Sequence, residues 1–316
     1  MANVESRVSV DAEELRTCSS AEALAFVDRV FGDASLWPTS LIAQRLAASF
    51  HEDWKAEVGC WLMLAEELGF LAALMKRCER AWNEAQDLTV AGPNDSAHRI
   101  LWSELAPAMA TYYFTRLGWR FVAWEPKVSK GDVDVRLRCP QGVLTDIQVK
   151  APDQPGQIVD GQIVDGEYDS RVLTQVDKAF AQLVSAPSQQ RVAVLSPQRT
   201  WPVAAGTYSS HLFGKTVATD RQVVLLKKDR GAFATPSGRG TGAVVDLSLL
   251  RGADDTLYRS TVFINPWADT GRSPTRTAFP KARICDMVDG KFAWHPEPPQ
   301  HSFNLPNGTV YVDGEP

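Results

Sequence analysis

Hydrophobic residues in the first third of the chain recur at intervals of three and four positions. One such set is Val58, Leu62, Ala65, Leu68 and Leu71. This spacing places the apolar side chains on one face of a helix. Similar patterns end at Phe31 and begin after Pro38, so we predict helices across residues 20–86. The pattern indicates an N-terminal helical domain over residues 1–95.

A longer helix and three strands are predicted over residues 96–150. The helix is expected over 96–117, with Gly118 suited to its C-terminal end. Pro107 lies inside it and predicts either a kink or a new helix that starts near Ser103. After Gly118 the spacing changes to the two-residue alternation of β-strands. The predicted strands are 119–124, 132–139 and 143–150.

The second and third of these strands each have one mostly apolar and one mostly polar face. The polar face of the second strand carries Asp132, Asp134, Arg136 and Arg138. The corresponding face of the third carries Leu144, Asp146, Gln148 and Lys150. Residues 140–142 (PQG) predict a turn, so the two strands should form a hairpin. Its polar face then collects carboxylates, an amide and a lysine in one place.

The remainder of the chain predicts further α and β elements. The five residues QIVDG occur at 157–161 and again at 162–166, which is too short for a repeat protein and indicates a flexible or hairpin-like insertion. A helix follows, with Leu173, Val176, Phe180 and Leu183 on one face. Further strands are predicted at 192–195, 223–226, 243–250 and 261–264. After Pro266, only residues 303–312 resemble a hairpin.

Composition indicates an ordinary globular protein. The 316 residues are 44% hydrophobic and 22% charged, which argues against disorder, collagen and coiled coil. The five cysteines are scattered and form no Cys-x-x-Cys pair, which argues against a disulfide framework and a zinc site. We identify no signal peptide and no membrane-spanning stretch, so a cytoplasmic location is predicted.

Charge is distributed unevenly along the chain. The net charge is −5, and residues 1–95 contain 8 Lys+Arg against 16 Asp+Glu. Subtraction from the totals of 33 and 38 leaves 25 basic and 22 acidic residues, a net of +3, in 96–316. Residues 191–239 contain eight basic and two acidic side chains and form a basic stretch. The same stretch contains Trp201, Tyr208 and Phe213. It is typical either of phosphate contacts with base stacking or of unrelated surface charges.

The predicted order of elements and the polar residues on them together resemble a known superfamily. Glu104 lies on the first helix, Asp134 on the second strand, and Gln148-Val149-Lys150 on the third. This arrangement resembles the PD-(D/E)XK nucleases, and the glutamine variant resembles the Mrr-type restriction endonucleases. The resemblance covers about residues 97–200.

The resemblance implies an α/β protein with a restriction-endonuclease-like core. That core consists of a helix, a three-stranded antiparallel meander, a helix and a strand, and an N-terminal helical domain precedes it. The nuclease domain would extend over 96–268, followed by a Pro/Gly-rich C-terminal extension at 269–316. The implied activity is Mg²⁺-dependent hydrolysis of DNA phosphodiester bonds in a restriction or anti-phage role. Mn²⁺ and RNA stay open as alternatives.

The same resemblance implies roles for individual residues. Asp134, the side-chain oxygen of Gln148 and the carbonyl of Val149 would bind the metal, since Mg²⁺ prefers oxygen ligands. Lys150 would orient the attacking water and stabilise charge on the phosphate. Glu104 would hold a metal-bound water. Because Gln148 is neutral, Asp132 and Asp146 are candidates to restore negative charge.

Four basic residues are candidate contacts to nucleic acid. These are Arg171 and Lys178 on the helix after Lys150, and Lys227 and Lys228 in the basic stretch. Lysine and arginine that neutralise phosphates supply much of the affinity for nucleic acid.

Simpler interpretations stay open beside the nuclease. Asp134 and Lys150 can be an ordinary cross-strand ion pair, and Glu104 a solvated helix residue. The fold can also serve as a non-catalytic nucleic-acid-binding module. In a third alternative the chain is a protein-interaction component, with a protein partner or self-association at the acidic helical domain.

Overall fold

The computed structural model describes most of the chain, in residues 9–31, 52–86, 96–128, 133–152, 158–159, 162–163, 165–197, 205–219, 222–251, 256–288 and 291–295. Its helices are α1 (Ala12–Leu15), α2 (Ser20–Phe31), α3 (Glu52–Glu67), α4 (Leu71–Gln86), α5 (Ser96–Arg116), α6 (Asp165–Leu183), α7 (Ala205–Phe213) and α8 (Pro236–Arg239). Its strands are β1 (Ser9–Asp11), β2 (Arg120–Trp124), β3 (Val135–Arg138), β4 (Leu144–Lys150), β5 (Ile158–Val159), β6 (Gln162–Ile163), β7 (Gln190–Leu195), β8 (Gly214–Thr219), β9 (Gln222–Arg230), β10 (Ala243–Arg251), β11 (Thr256–Ile264), β12 (Arg283–Val288) and β13 (Lys291–His295). Short 3-10 helices occupy Ala232–Ala234 and Arg276–Ala278.

One mixed sheet organises the described residues. Eleven of the described strands belong to it, in the order β2-β3-β4-β7-β10-β11-β12-β13-β9-β8, with β1 paired to β11. The pairs β4·β7, β7·β10 and β11·β12 are parallel and the others antiparallel. The α/β class predicted from the sequence is therefore confirmed.

The predicted hairpin is present at one end of this sheet. Strand β3 pairs antiparallel with β4, with Arg136 opposite Asp146, and β2 pairs antiparallel with β3 on its outer side. Strand β4 then pairs in parallel with β7, and helix α6 connects the two. Parallel neighbours need such a crossover, because the chain must return to the starting end of the sheet.

The duplicated pentapeptide forms a small hairpin of its own. Strand β5 pairs antiparallel with β6, and Ile158 lies opposite Ile163, its counterpart in the second copy. The sequence between the two strands is Asp-Gly, a preferred pair for a two-residue hairpin connection. The hairpin-like interpretation of this insertion is confirmed.

Two predicted helix boundaries need correction. The apolar pattern from Val58 to Leu71 does not belong to one helix, because α3 ends at Glu67 and α4 begins at Leu71. Gly69 between them has φ +78, a conformation that glycine adopts without steric cost. Helix α5, in contrast, continues through Pro107, so no new helix starts near Ser103.

Helices cover both faces of the sheet. Helix α5 and the N-terminal helices pack on the face that presents Val135, Ile147 and Val192. Helices α6 and α7 pack on the face that presents Ala193 and Leu195. The buried apolar side chains of α6 are Val172, Val176, Ala179, Phe180 and Leu183, so Val172 takes the place predicted for Leu173, which is only partly buried.

The N-terminal helices share one hydrophobic cluster with the sheet. Side chains of α2 and α3 belong to the same cluster as those of β4 and β11. A buried polar chain connects the two layers: Tyr258 on β11 donates to Glu57 at 2.5 Å, and Trp61 donates to the Tyr258 hydroxyl at 2.6 Å. Arg16 donates to the other Glu57 oxygen at 2.5 Å. The domain boundary at residue 95 stays a prediction. The helices before this position pack directly against the sheet that follows it.

The C-terminal region contains strands that were not predicted. Composition after Pro266 suggested a Pro/Gly-rich extension, with a hairpin only at 303–312. That interpretation is wrong for residues 283–295, because β12 and β13 pair antiparallel there and extend the main sheet. Residues 303–312 lie outside the described part of the chain.

No helix among the described residues has both the length and the apolar character that a bilayer crossing demands.

Glu57 should make stability depend on pH. Burial raises the pKa of Glu57, against the opposing hydrogen bonds from Tyr258 and Arg16. The folded protein then holds this proton above the pKa of the unfolded chain, so stability is lost as pH rises through the folded pKa. We expect the stability of wild type relative to Glu57→Gln to fall as the pH rises from about 4.5 through the neutral range. Urea unfolding across that range measures it, and a pH-independent difference would contradict the assignment.

Asp146 should be essential for stability. Its side chain is fully buried and accepts from Arg136 at 2.6 Å and from the Ser188 N–H at 3.0 Å. We expect Asp146→Asn to lower the free energy of unfolding by about 3 kcal/mol, because the half-buried Arg136 guanidinium loses its counter-ion at a fully buried position. The matched control is Glu66→Gln, which breaks an exposed pair with Arg29 and should cost about 0–1 kcal/mol. Equal losses for both variants in urea unfolding would refute this role.

Candidate metal-binding site

The start of β3 and the end of β4 bring two polar side chains together. Asp134 immediately precedes β3, and its N–H donates to the Ile147 carbonyl at 3.2 Å. The register that pairs Arg136 with Asp146 places Asp134 opposite Gln148. Side-chain alternation along the paired strands, the pattern recognised in the sequence, therefore produces this contact.

One carboxylate oxygen of Asp134 extends the hydrogen bonding between β3 and β4 beyond their last backbone pair. Asp134 Oδ2 accepts from the backbone N–H of Val149 at 2.7 Å and from Gln148 Nε2 at 2.5 Å. Asp134 is only 7% exposed and Gln148 only 2%. The N–H and C=O of one residue in a strand point to the same side. The Val149 carbonyl therefore also faces the Asp134 side of β4.

The second polar atom of the Gln148 amide has no partner. Gln148 Oε1 is buried and accepts no hydrogen bond from any described residue. Buried polar atoms nearly always find a partner, so an orphaned oxygen at this position indicates a ligand. The assignment of the two amide atoms follows the hydrogen-bond network.

Three elements on the other side of Asp134 contribute a second group of charges. Arg77 on α4 donates to Glu104 Oε2 at 2.5 Å, to Glu125 Oε1 at 2.7 Å and to Asp134 Oδ1 at 3.4 Å. Glu104 comes from α5, and Glu125 immediately follows β2. One guanidinium thus joins three carboxylates from three different parts of the chain.

The backbone at Glu125 is held in an unusual conformation. Its φ is +43, in the left-handed region that non-glycine residues rarely adopt. The Glu125 N–H donates to the Asp134 carbonyl at 2.8 Å. Backbone and side chain of Glu125 therefore both constrain the position of Asp134. Such strain often occurs at functional sites.

Lys150 ends β4 at the same edge of the sheet. Its carbonyl accepts from Ser196 N at 2.7 Å, across the parallel pair with β7. Its side chain is half-buried, and its charge lowers the pKa of Asp134. The interaction shows that Lys150 lies within electrostatic reach of the carboxylate.

Opposing influences act on the ionisation of the central pair. Burial is the largest influence on Asp134 and raises its pKa, although Arg77, the Val149 N–H and Lys150 each lower it. Burial alone would lower the pKa of Arg77, but Glu104, Asp134 and Glu125 outweigh it and the pKa is raised. Arg77 is therefore a permanent cation at the centre of the site.

The predicted site residues are mostly found together. Glu104, Asp134 and Gln148 belong to one hydrogen-bonded network, and Lys150 acts on Asp134 electrostatically. Sequence reasoning missed Arg77 and Glu125. Arg77 precedes Asp134 by 57 positions and lies in a different helical layer, so no spacing pattern signals the contact.

Two acids were candidates to restore negative charge beside Gln148. One of them is engaged elsewhere, and the other lies outside the described residues. Asp146 shares a strand face with Gln148, but its carboxylate is taken by Arg136 and the Ser188 N–H. Its predicted contribution to the metal site is therefore wrong. Asp132 lies outside the described residues.

The four candidate nucleic-acid contacts lie on two elements, and only the side chain of Lys178 is within the described part of the chain. Lys178 is an exposed residue of α6, and Arg171 lies on the same helix, but its side chain is outside the described part. Lys227 and Lys228 lie on β9, six strand positions from β4 in the sheet order. At about 4.8 Å per strand, that separation is roughly 29 Å along the sheet.

A hard cation at this site would have to be held by oxygen atoms of different kinds, from a carboxylate, an amide and the backbone. Among the described residues, no group of three or more His, Cys, Asp and Glu side chains is arranged to hold a metal ion. The Asp134 carboxylate nevertheless contacts the Gln148 amide and the Val149 backbone, and a half-turn of the amide would place its oxygen beside the carboxylate. This set fits Mg²⁺, which keeps several waters and needs few protein ligands.

Comparisons with known proteins add little to this geometry. No protein-family model and no curated protein matches the chain. Among solved structures it is similar to SfsA of Pyrococcus furiosus in complex with Ca²⁺, at 10% identity and a TM-score of 0.23. The match covers 52% of this chain and 63% of that one, so the chain spans less than two thirds of that protein. A likeness at this TM-score carries no argument about fold or function.

Gln148→Glu should test the contact with Asp134. The substitution replaces an amide donor 2.5 Å from Asp134 Oδ2 with a carboxylate oxygen. Two carboxylates at this distance cannot both ionise. We expect metal-free Gln148→Glu to lose about 3 kcal/mol of stability near neutral pH, and to recover part of it at pH 5 or with Mn²⁺.

The matched control is Gln141→Glu, at an exposed glutamine in the turn between β3 and β4. Thermal unfolding at two pH values, with and without Mn²⁺, measures both variants. A loss for Gln148→Glu that is the same at both pH values would contradict the contact.

Proposed function

We propose that the chain is a Mg²⁺-dependent phosphodiesterase of the PD-(D/E)XK type that acts on DNA. The observation that carries the proposal is the junction of Asp134 with the Gln148 side chain and the Val149 backbone. These are the residues that the resemblance to Mrr-type nucleases assigns to the metal. A restriction or anti-phage role rests on that resemblance alone.

The order of elements around the junction supports the same proposal. Helix α5, the antiparallel meander β2-β3-β4, helix α6 and the parallel strand β7 follow one another along the chain. This is the order expected for a restriction-endonuclease-like core. Asp134 and Lys150 lie at the same edge of the meander, since β3 starts where β4 ends.

The side chains of this edge suit phosphodiester hydrolysis. The reaction needs a positioned water and stabilisation of the charge that develops on the phosphate oxygens. A bound divalent cation supplies Lewis acidity and a more acidic water. Lys150 would stabilise charge on the phosphate and orient the water, while Asp134 and Gln148 hold the cation. Glu104 would hold a water near Asp134.

A second candidate function is a nucleic-acid-binding module without catalysis. The observation that favours it is Arg77, which neutralises part of the charge on Glu104, Glu125 and Asp134. Such a module would bind DNA without Mg²⁺-dependent cleavage. The two candidates therefore differ in one measurable product: only the nuclease converts plasmid into nicked or linear DNA.

Nuclease assays with site variants test the proposal. We expect wild type to cleave plasmid or single-stranded DNA with Mg²⁺ or Mn²⁺ and to stop on addition of EDTA. Asp134→Asn and Lys150→Met should lower the rate by about 100-fold or more, because Asp134 would hold the cation and Lys150 would stabilise charge on the phosphate. RNA substrates in the same assay identify the nucleic acid.

Exposed residues of the same types provide matched controls. Asp177→Asn changes an exposed aspartate of α6, and Lys281→Met changes an exposed lysine paired with Glu14. Both controls should cleave at the wild-type rate. Cleavage that survives in Asp134→Asn and Lys150→Met would refute the site. DNA binding without any cleavage by wild type would favour the non-catalytic module.

A further inference from the structure

Arg77 occupies the position at which a cation would neutralise the acidic cluster. Its guanidinium contacts one oxygen each of Glu104, Glu125 and Asp134. The Arg77 side chain is only 17% exposed, as is that of Glu104. A permanent cation thus lies among three carboxylates that α5, the end of β2 and the start of β3 bring together.

The three contacts of Arg77 differ in length, and the contact with Asp134 is the weakest. Its distances to Glu104 and Glu125 are 2.5 and 2.7 Å, whereas the distance to Asp134 Oδ1 is 3.4 Å. A small rotation of the guanidinium can therefore release Asp134 while the other two pairs persist. The Asp134 contact is the one that a competing cation would replace.

The opposite side of Asp134 contains an independent indication of a missing ligand. Gln148 Oε1 is buried and has no partner among the residues that the structure describes, while Nε2 of the same amide donates to Asp134 Oδ2. Half a turn of the amide would bring its oxygen beside the carboxylate. Two oxygens would then face a cation bound between the side chains, and the orphaned atom would be satisfied.

We propose that Arg77 is a resident cation of the metal-free protein, which leaves Asp134 when a divalent cation binds to Asp134 and Gln148. Helix α4 of the N-terminal layer then regulates metal loading through one side chain. This inference rests on the proposed metal-dependent function and deepens it. It predicts competition between the guanidinium and the metal for the same carboxylate.

Direct metal titration tests the competition. Mn²⁺ binding to the full chain is measured by calorimetry for wild type, Arg77→Gln, Arg77→Lys and Asp134→Ala. We expect Arg77→Gln to bind Mn²⁺ at least about tenfold more tightly, because a positive charge next to the ligand is removed. Arg77→Lys keeps the charge and should bind within about threefold of wild type, and Asp134→Ala should lose binding.

The matched control is Arg29→Gln, which removes an exposed arginine paired with Glu66 and should leave Mn²⁺ affinity unchanged. Equal or weaker binding by Arg77→Gln, with binding by wild type that depends on Asp134, would overturn the inference and leave the proposed function intact. Absence of Mn²⁺ binding from both wild type and Arg77→Gln would overturn both.

A second measurement follows the wild-type protein and uses a variant, Arg77→Lys, only to assign the signal. The NMR signal of Arg77 Nε–H, assigned by its loss in Arg77→Lys, is followed during titration with Mg²⁺. We expect it to shift with the same midpoint as metal binding, since the guanidinium changes partners. A signal that stays constant while Mg²⁺ binds would overturn the inference even if Arg77→Gln does not fold.

Discussion

The site depends on the Asp134 carboxylate, which takes the place of a backbone carbonyl in the hydrogen bonding between β3 and β4. Asp134 Oδ2 accepts from the Val149 N–H at 2.7 Å, where a continuing strand would offer a carbonyl. The chain of β3 can therefore turn away at Asp134, while its side chain remains fixed against β4. A carboxylate tied to main chain in this way is positioned by the sheet itself, because the register of β3 and β4 sets its place.

Two cross-strand pairs on one sheet face have opposite character. Arg136 with Asp146 is a mutually satisfied buried ion pair, strengthened by the Ser188 N–H. Asp134 with Gln148, two residues further along, leaves Gln148 Oε1 without a partner. Most buried polar groups are satisfied, so the contrast supports a functional interpretation of the Asp134–Gln148 pair and a structural one of the Arg136–Asp146 pair. Asp146 stabilises the strands that hold Asp134 and adds no charge to the site.

Local periodicity predicted the parts of the fold that depend on neighbouring residues. Two-residue alternation identified the β3–β4 hairpin and placed Asp134 and Gln148 on one face, because paired strands share their faces. Strands β12 and β13 were missed because proline, glycine and polar residues surround them in sequence. They are ordered by pairing with β11 and β9, which lie earlier in the chain. Arg77 was missed for the same reason, since its partners lie 27 to 57 positions away.

The position of Arg77 gives the N-terminal helices a role that their packing alone would not imply. Glu57, Trp61 and Tyr258 fix α3 against β11, and α4 follows α3 after the break at Gly69. The guanidinium of Arg77 thus reaches Asp134 from a helical layer that is tied to the sheet at β11. Any event that shifts this layer would change the charge beside Asp134 without touching β3 or β4. Arg77 of α4 therefore couples the N-terminal helices to the charge of the site, through its contacts with Glu104, Glu125 and Asp134.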